Sequence, residues 1–439
     1  MLNSRMWFAI ALSALSTALS TAGCTLGGYF EYGGEGAGAG GSATGGAGTG
    51  AMSSAGGQGG EAGSIGVGGD GGGGLPCGGV NLDNNTLNCG ECGFDCHGDP
   101  CVDGRCEQVI DVVGGDLRAL LVVDKVVYFS QYAHPGPPSE PPRIRSLPID
   151  FASDTVPSFV HQVGSAVGTL VLGSKGTRNV YYAAQGTTVI QACNAGGCKE
   201  ADLANSVSQI SYVMAPAGDR LYFGDFAGGR LLSLALDGEG VPISGDPLGS
   251  ALTVEVQSHA TPFANDGVSE VRFLPPDRLY WAGLTEGANV DGCVYTALIA
   301  DLIAAPLNDF ACWSPTFAAA GFTVDPVGNV YGQVGWFATS APIPYVVKKF
   351  AAGSGAESPF VGEVGVDEGK ADFPRATDGA FLYVKDATST AIKLYPLDGG
   401  ARLDGPTPAA APEGIDASRD DYVFYTAGSK LHRWSKPRK

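Results

Sequence analysis

Residues 220–240, RLYFGDFAGGRLLSLALDGEG, decide the fold. Leu221, Tyr222 and Phe223 begin an apolar strand, and a Gly-rich turn follows over 225–229. A second apolar strand spans 230–236, and Asp237-Gly238 forms the next turn. A lone hairpin is marginal in water, because two strands cannot bury both of their faces. The sequence meets that constraint by repetition. Looser copies begin at Val127, Val180, Leu279, Val330, Leu382 and Val423.

The central aromatic of each copy is Tyr128, Tyr181, Tyr222, Tyr280, Tyr331, Tyr383 or Phe424, spaced about 40–60 residues apart. Short strands at that period are the signature of a β-propeller, one blade per repeat. Turn formers precede most markers, including Asp124-Lys125, Gly218-Asp219, Pro276-Asp277, Gly328-Asn329 and Asp378-Gly379. A further strand follows in every copy, as in 143–148, 188–193, 346–350, 392–397 and 430–434. The expected fold is therefore all-β, a propeller of seven blades, with six or eight as the neighbouring counts. One helix is expected, over 296–305, in an insertion of the fourth repeat.

Closure is also legible. The last repeat ends shortly after its third strand, and residues 108–113 (QVIDVV) form an orphan strand before the first repeat. Pairing the two would complete the last blade and remove a free sheet edge.

The chain before the repeats divides by composition. Its 439 residues include 68 glycines, concentrated in a Gly/Ala/Ser-rich stretch over 24–76 that lacks hydrophobic periodicity and predicts a disordered tether. Residues 1–23 read as an export signal, with Arg5 ahead of a short apolar run. Residues 77–106 hold six cysteines, Cys77, Cys89, Cys92, Cys96, Cys101 and Cys106, with few large apolar side chains. Such a segment needs covalent or metal staples. The Cys89-Gly-Glu-Cys92 spacing suits a zinc knuckle, but an oxidising compartment favours three disulfides, and the spacing does not choose their connectivity. The propeller is assigned to 107–439.

Three resemblances attach to these residues. Leu19-Ser20-Thr21-Ala22-Gly23-Cys24 resembles a bacterial lipobox, with Thr21 where Leu is usual. The resemblance implies lipid attachment at Cys24, and Thr25 after it implies sorting to the Gram-negative outer membrane, on a leaflet face the sequence leaves open. The Asn88-Cys89-Gly90…Cys92-Gly93…Cys96 phrase resembles a short module of exported bacterial proteins. Leu221-Tyr222-Phe223-Gly224-Asp225 with Leu236-Asp237-Gly238 is similar to the YWTD repeat and to TolB-like and NHL propellers. Leu382 to Asp386 with Leu397-Asp398-Gly399 is a second good copy.

Chemistry is harder to find. No Gly-x-Ser-x-Gly elbow, Walker loop or His-Glu-x-x-His motif occurs, and His97, His134, His161, His259 and His432 are scattered. No catalytic residue, metal ligand or cofactor is assigned. With Cys24 set aside, Cys193 and Cys198 would staple a hairpin and Cys293 and Cys312 an insertion, both structural. Asp225 and Asp237 read as turn residues. Trp281, Trp313 and Trp336 suit either a binding face or packing between blades. The net charge of −19 argues against nucleic acid as a partner. The expectation is a membrane-anchored scaffold for a protein or glycan ligand. Its rivals are a lactonase-like hydrolase or lyase with a channel metal, and a propeller that spaces a Cys-rich recognition module.

Overall fold

The computed structural model describes residues 81–436 apart from short breaks, the longest being 133–140, 174–178, 244–251, 258–267, 286–290, 307–321, 337–342 and 361–372. Seven sheets form seven blades around a ring, antiparallel except where Ala305–Pro306, between blades 4 and 5 in sequence, pairs parallel with the outer strand of blade 3, Leu252–Gln257. From the axis outward, blade 1 runs Leu117–Val123, Val126–Gln131, Arg143–Pro148 and Ser158–Gln162. Blade 2 runs Val171–Leu172, Val180–Ala183, Val189–Asn194 and Gly197–Asp202. The signature stretch supplies Arg220–Asp225 and Arg230–Ala235 to blade 3, between Ala215–Ala217 and Leu252–Gln257. Blade 4 has Val268–Leu274, Arg278–Thr285 and Asp291–Leu298, and blade 5 has Phe322–Val324, Val330–Trp336, Ile343–Phe350 and Glu357–Pro359. Blade 6 comprises Phe373–Thr377, Phe381–Lys385, Ile392–Pro396 and Leu403–Asp404.

Blade 7 closes the ring. Its inner three strands, Pro412–Asp416, Tyr422–Ala427 and Lys430–Ser435, come from the end of the chain. Its fourth, Arg105–Asp111, comes from before the first repeat and pairs antiparallel with the third, from Glu107 opposite Trp434 to Asp111 opposite Lys430. The expected closure is present, with the orphan strand starting three residues earlier. Each innermost strand packs on its two neighbours around the ring.

The core is divided among the seams. Seven hydrophobic clusters each join two neighbouring blades. The marker aromatics explain the arrangement. Tyr181, Tyr222, Tyr280, Tyr331, Tyr383 and Phe424 each lie in the seam with the following blade. The next residue in the strand points the other way, as strand geometry requires. Tyr182, Phe223, Trp281, Val384, Tyr425 and Phe129 accordingly fill the seam with the preceding blade. Strands buried on both faces read as continuous apolar runs, which is why Arg220–Asp225 looks so little like an alternating strand.

Polar staples fix the blades. Asp325 and Asp378 cap the first turn of blades 5 and 6, accepting Asn329 N at 2.8 Å and Phe381 N at 2.8 Å. Each also accepts its blade's marker hydroxyl, from Tyr331 at 3.1 Å and Tyr383 at 2.9 Å. Near the axis the innermost strands of blades 1, 4, 6 and 7 carry register irregularities. Such bulges strand a backbone N–H. Ser130 Oγ accepts Ala119 N at 2.8 Å and donates to Val167 O of blade 2 at 3.1 Å. Thr426 Oγ1, at the equivalent position, accepts Gly414 N at 2.9 Å and donates to Arg118 O of blade 1 at 3.1 Å. Gly414 is required there, since a Cβ would sit 2.3 Å from that carbonyl oxygen.

Two sequence expectations change. Residues 296–305 are not a helix: Asp291–Leu298 is a strand paired along its whole length with Arg278–Thr285, and only a single 3-10 turn, Ile299–Asp301, follows. Cross-strand pairing outweighs the local helix preference of the Ala/Leu/Ile run. Asp225 is not a turn residue. It ends the second strand of blade 3, fully buried, in an ion pair with Arg230 directly across the ladder. Asp237 does cap its turn, accepting Val241 N at 2.8 Å.

Thr426→Val keeps the shape of the side chain but removes both hydrogen bonds of the hydroxyl. It is expected to cost about 1–3 kcal/mol, the penalty for leaving buried polar groups unpaired. The measurement is the shift in urea midpoint at unchanged m-value.

Candidate functional site

The Cys-rich segment is built on two described disulfides, Cys89–Cys101 and Cys96–Cys106, whose sulfurs pack together as a small buried cluster. Cys92 is also disulfide-bonded. Cys89 and Cys92 are therefore not a zinc pair. Cys193–Cys198 joins partners directly opposite each other in blade 2. Cys24, Cys77, Cys312, His97, His134, His259 and Trp313 lie outside the described residues, as do the side chains of Cys293 and Trp336. Trp281 is in a seam, stacked on Tyr295 at 5.7 Å, so it serves packing.

The segment is seated on the ring. Cys101–Val102 pairs with the closing strand as its outer neighbour, and Cys106 lies within that strand. Asp99 receives a bidentate pair from Arg433 Nη2 and Nε at 2.6 and 3.2 Å, both side chains buried. The Arg433 guanidinium lies over the rings of Phe151 and Tyr422, at 5.2 and 5.4 Å, and donates to Ile149 O at 2.7 Å. Arg suits this place because its planar fork binds a carboxylate while its faces stack on rings. A cleft of about 540 Å³ opens beside the pair, with Asp150, Ala152, Arg419 and Asp421 on its wall.

On the opposite face of blade 7, Glu107 Oε1 lies 2.8 Å from His432 Nδ1 and accepts the Tyr425 hydroxyl at 2.6 Å. Tyr425 and His432 stack with centroids 4.3 Å apart. Burial opposes ionisation of Glu107, yet the hydrogen bonds from His432 and Tyr425 outweigh it and hold its carboxyl below the usual range. Burial and the same carboxylate push the Tyr425 phenol up. The group lies in the seam with blade 6, so it specifies closure and does not face a reactant.

Near the axis several described charges have fixed partners, and Arg118 of the innermost strand of blade 1 lies over the Tyr132 ring at 4.5 Å. Glu270 joins Arg272 and accepts Phe322 N of blade 5 at 3.3 Å. Lys385 of blade 6 meets Glu413 of blade 7 at 3.5 Å, and Asp416 accepts Val122 N of blade 1 at 2.7 Å. Among the described residues, the three-ligand groupings of His, Cys, Asp and Glu are two, and both contain disulfide sulfurs.

Strand directions divide the connections between two faces. Those from second to third strands, and from outer strands to the next blade, begin and end at one face. They include 132–142, 203–214, 258–267, 307–321 and 360–372. At the other face most turns are short, such as 124–125, 218–219 and 275–277, with 236–251 the long exception. Long connections on a rigid ring are where binding residues concentrate. Neither the ion pair nor the triad was visible beforehand. Glu107 and His432 are 325 residues apart, and only the inference that the ends of the chain share a blade pointed to them.

No protein-family model matches the chain, and no curated protein matches it. Its fold is similar to virginiamycin B lyase from Staphylococcus aureus, at 14% identity and a TM-score of 0.52, over 76% of this chain and 100% of the lyase. A catalytically inactive form of that lyase with quinupristin gives the same values. A putative gluconolactonase shares 10% identity over 75% of this chain and 92% of its own, with a TM-score of 0.40. At 14% identity the likeness to the lyase is one of fold alone.

Two predictions follow from the closing blade. Arg433→Met leaves Asp99 buried without its cation and is expected to cost about 3–5 kcal/mol. Hydrogen exchange should show protection lost first over 95–106, and Asp99→Asn added to Arg433→Met should restore part of it. Because the folded Glu107 carboxyl titrates below its unfolded value, its contribution is full above the unfolded value and is lost as pH falls through the folded one. Glu107→Gln should therefore flatten the acid limb of the stability curve below about pH 5, read by thermal melts from pH 3 to 7.

Proposed function

We propose that this chain is an exported lipoprotein, held on the outer membrane through Cys24, whose propeller is a non-catalytic scaffold for a protein or glycan ligand. The observation that carries the reading is the asymmetry of the ring: the strand ends that its long connections join lie at one face. A rigid ring with variable connections on one side provides a broad binding surface without committing any described side chain to chemistry. The lipobox-like start supports the anchor, since acyl chains contribute about 0.8 kcal/mol per buried methylene. The seating of Asp99 on Arg433 favours a Cys-rich segment that works as part of the propeller over one that acts alone.

The test has two arms. Cys24→Ala is expected to move the protein from the membrane fraction to the soluble one, and persistence in membranes overturns the anchor. Ligand captured by cross-linking on intact cells should be lost when 132–142 or 360–372 is replaced by a short Gly-Ser linker. Shortening 351–356 at the opposite face should leave capture unchanged. Turnover of lactone substrates that is abolished by chelation would instead establish the hydrolase or lyase reading.

A further inference from the structure

The outer rim between blades 1 and 2 holds a constellation that the scaffold reading does not use. His161 lies on the outer strand of blade 1, opposite Ile144. Cys193 and Cys198 face each other across the third and outer strands of blade 2. One ligand atom from each of the three side chains lies within 4.8 Å of the other two. Cys193 is buried and Cys198 half-buried against the cluster that joins the two blades. Glu200 is two residues beyond Cys198, on the same face of its strand, and its charge acts on His161.

We infer that the Cys193–Cys198 disulfide is the oxidised form of a metal site, which on reduction binds a borderline-soft divalent cation of the zinc class through Cys193, Cys198 and His161. Two sulfurs and an imidazole are the donors such a cation selects, with Glu200 or water as the fourth ligand. The geometry is within reach. Ligand atoms in a tetrahedral zinc site stand roughly 3.3–3.8 Å apart. The sulfurs must part to about that separation, and the imidazole, within 4.8 Å of both, must close by at most about 1–1.5 Å, within the range of side-chain rotation.

The chemistry balances. A dithiol gives two electrons and two protons to the disulfide and becomes a disulfide itself, leaving two protein thiols. The cation then displaces both thiol protons, and two thiolate–metal bonds replace the single sulfur–sulfur bond. The disulfide staples a hairpin within blade 2 alone. The metal, through His161, ties blade 2 to blade 1. The rim thus keeps a cross-link in either redox state, and the reduced form gains one between blades.

The probe is Co²⁺, added to the full chain after reduction with a phosphine, which unlike a dithiol does not compete for the metal. Other reduced cysteines also bind cobalt, so the reading is a difference. Wild type should take up one equivalent more than Cys193→Ser/Cys198→Ser, with thiolate-to-cobalt charge-transfer absorption. His161→Ala should weaken that equivalent by at least about tenfold. Equal uptake by wild type and the double variant overturns the proposal, as does an unchanged affinity in His161→Ala. Mass spectrometry of wild type covers the case of a poorly folding variant. Zn²⁺ should protect Cys193 and Cys198 from alkylation, and equal alkylation with and without zinc again overturns it.

Discussion

Each blade of this ring is a sheet with two apolar faces, and neither face can be buried within the blade. The seven clusters of the ring are therefore shared between neighbours, and the ring stands or falls on completing the circle. An open stack would leave two faces uncovered, each lined with Tyr, Phe and Trp side chains that transfer from water at roughly 25 cal/mol per Å². The alternation of the marker aromatic and its successor lets one short repeat serve both faces. Seam 2/3 receives Tyr181 from one side and Phe223 from the other, and seam 3/4 receives Tyr222 and Trp281. The least eroded repeat, Arg220–Asp225, is the clearest statement of that rule.

Closure differs from the other pairings because its strands come from the two ends of the chain. Nothing covalent and local sets its register, and a slip of one residue would turn Ile110 away from its seam with blade 1 and Glu107 away from His432 and Tyr425. The polar devices of the molecule gather there. Glu107 meets His432 and Tyr425 on one face, Asp99 meets Arg433 on the other, and Asp111 accepts Ser429 Oγ at 2.7 Å. Cys106 N donates to Ser435 Oγ at 3.0 Å. Buried polar groups cost heavily when mismatched, so a full set of partners exists in one register only. Elsewhere the chain relies on short turns to set register and needs fewer such pairs.

This division explains what the sequence revealed. Signals within one hairpin were legible. They include the marker aromatics, the Asp-Gly turns and the local Cys193–Cys198 pair, because each depends on neighbours in the chain. The closing strand was legible through what the last repeat lacked. Hidden from view were features fixed by tertiary register. Some innermost strands are too short to show a period, as in Val171–Leu172. The apolar run after Cys293 looked helical because its partner strand, Arg278–Thr285, is not written into it. Asp225 reads as a turn residue in the sequence because its partner Arg230 is a neighbour only across the ladder, beyond Phe226-Ala227-Gly228-Gly229. The candidate binding face was legible only as loop lengths, and became a face once strand directions were known.

Order along the chain gives the Cys-rich segment a mechanical meaning under the proposed anchor. Residues 24–76, which the sequence reads as a tether, precede the segment, and the segment precedes the closing strand. Any pull along 24–76 would thus reach the ring at blade 7, whose closing strand pairs with Lys430–Ser435 without a connecting turn. Cys96–Cys106 ties the segment to the closing strand covalently, and Asp99 ties it to the neighbouring strand through Arg433. A load that would otherwise peel Arg105–Asp111 from Lys430–Ser435 one hydrogen bond at a time is shared with a buried ion pair on the partner strand. Peeling is slow when several bonds must break together. On this view the segment guards closure.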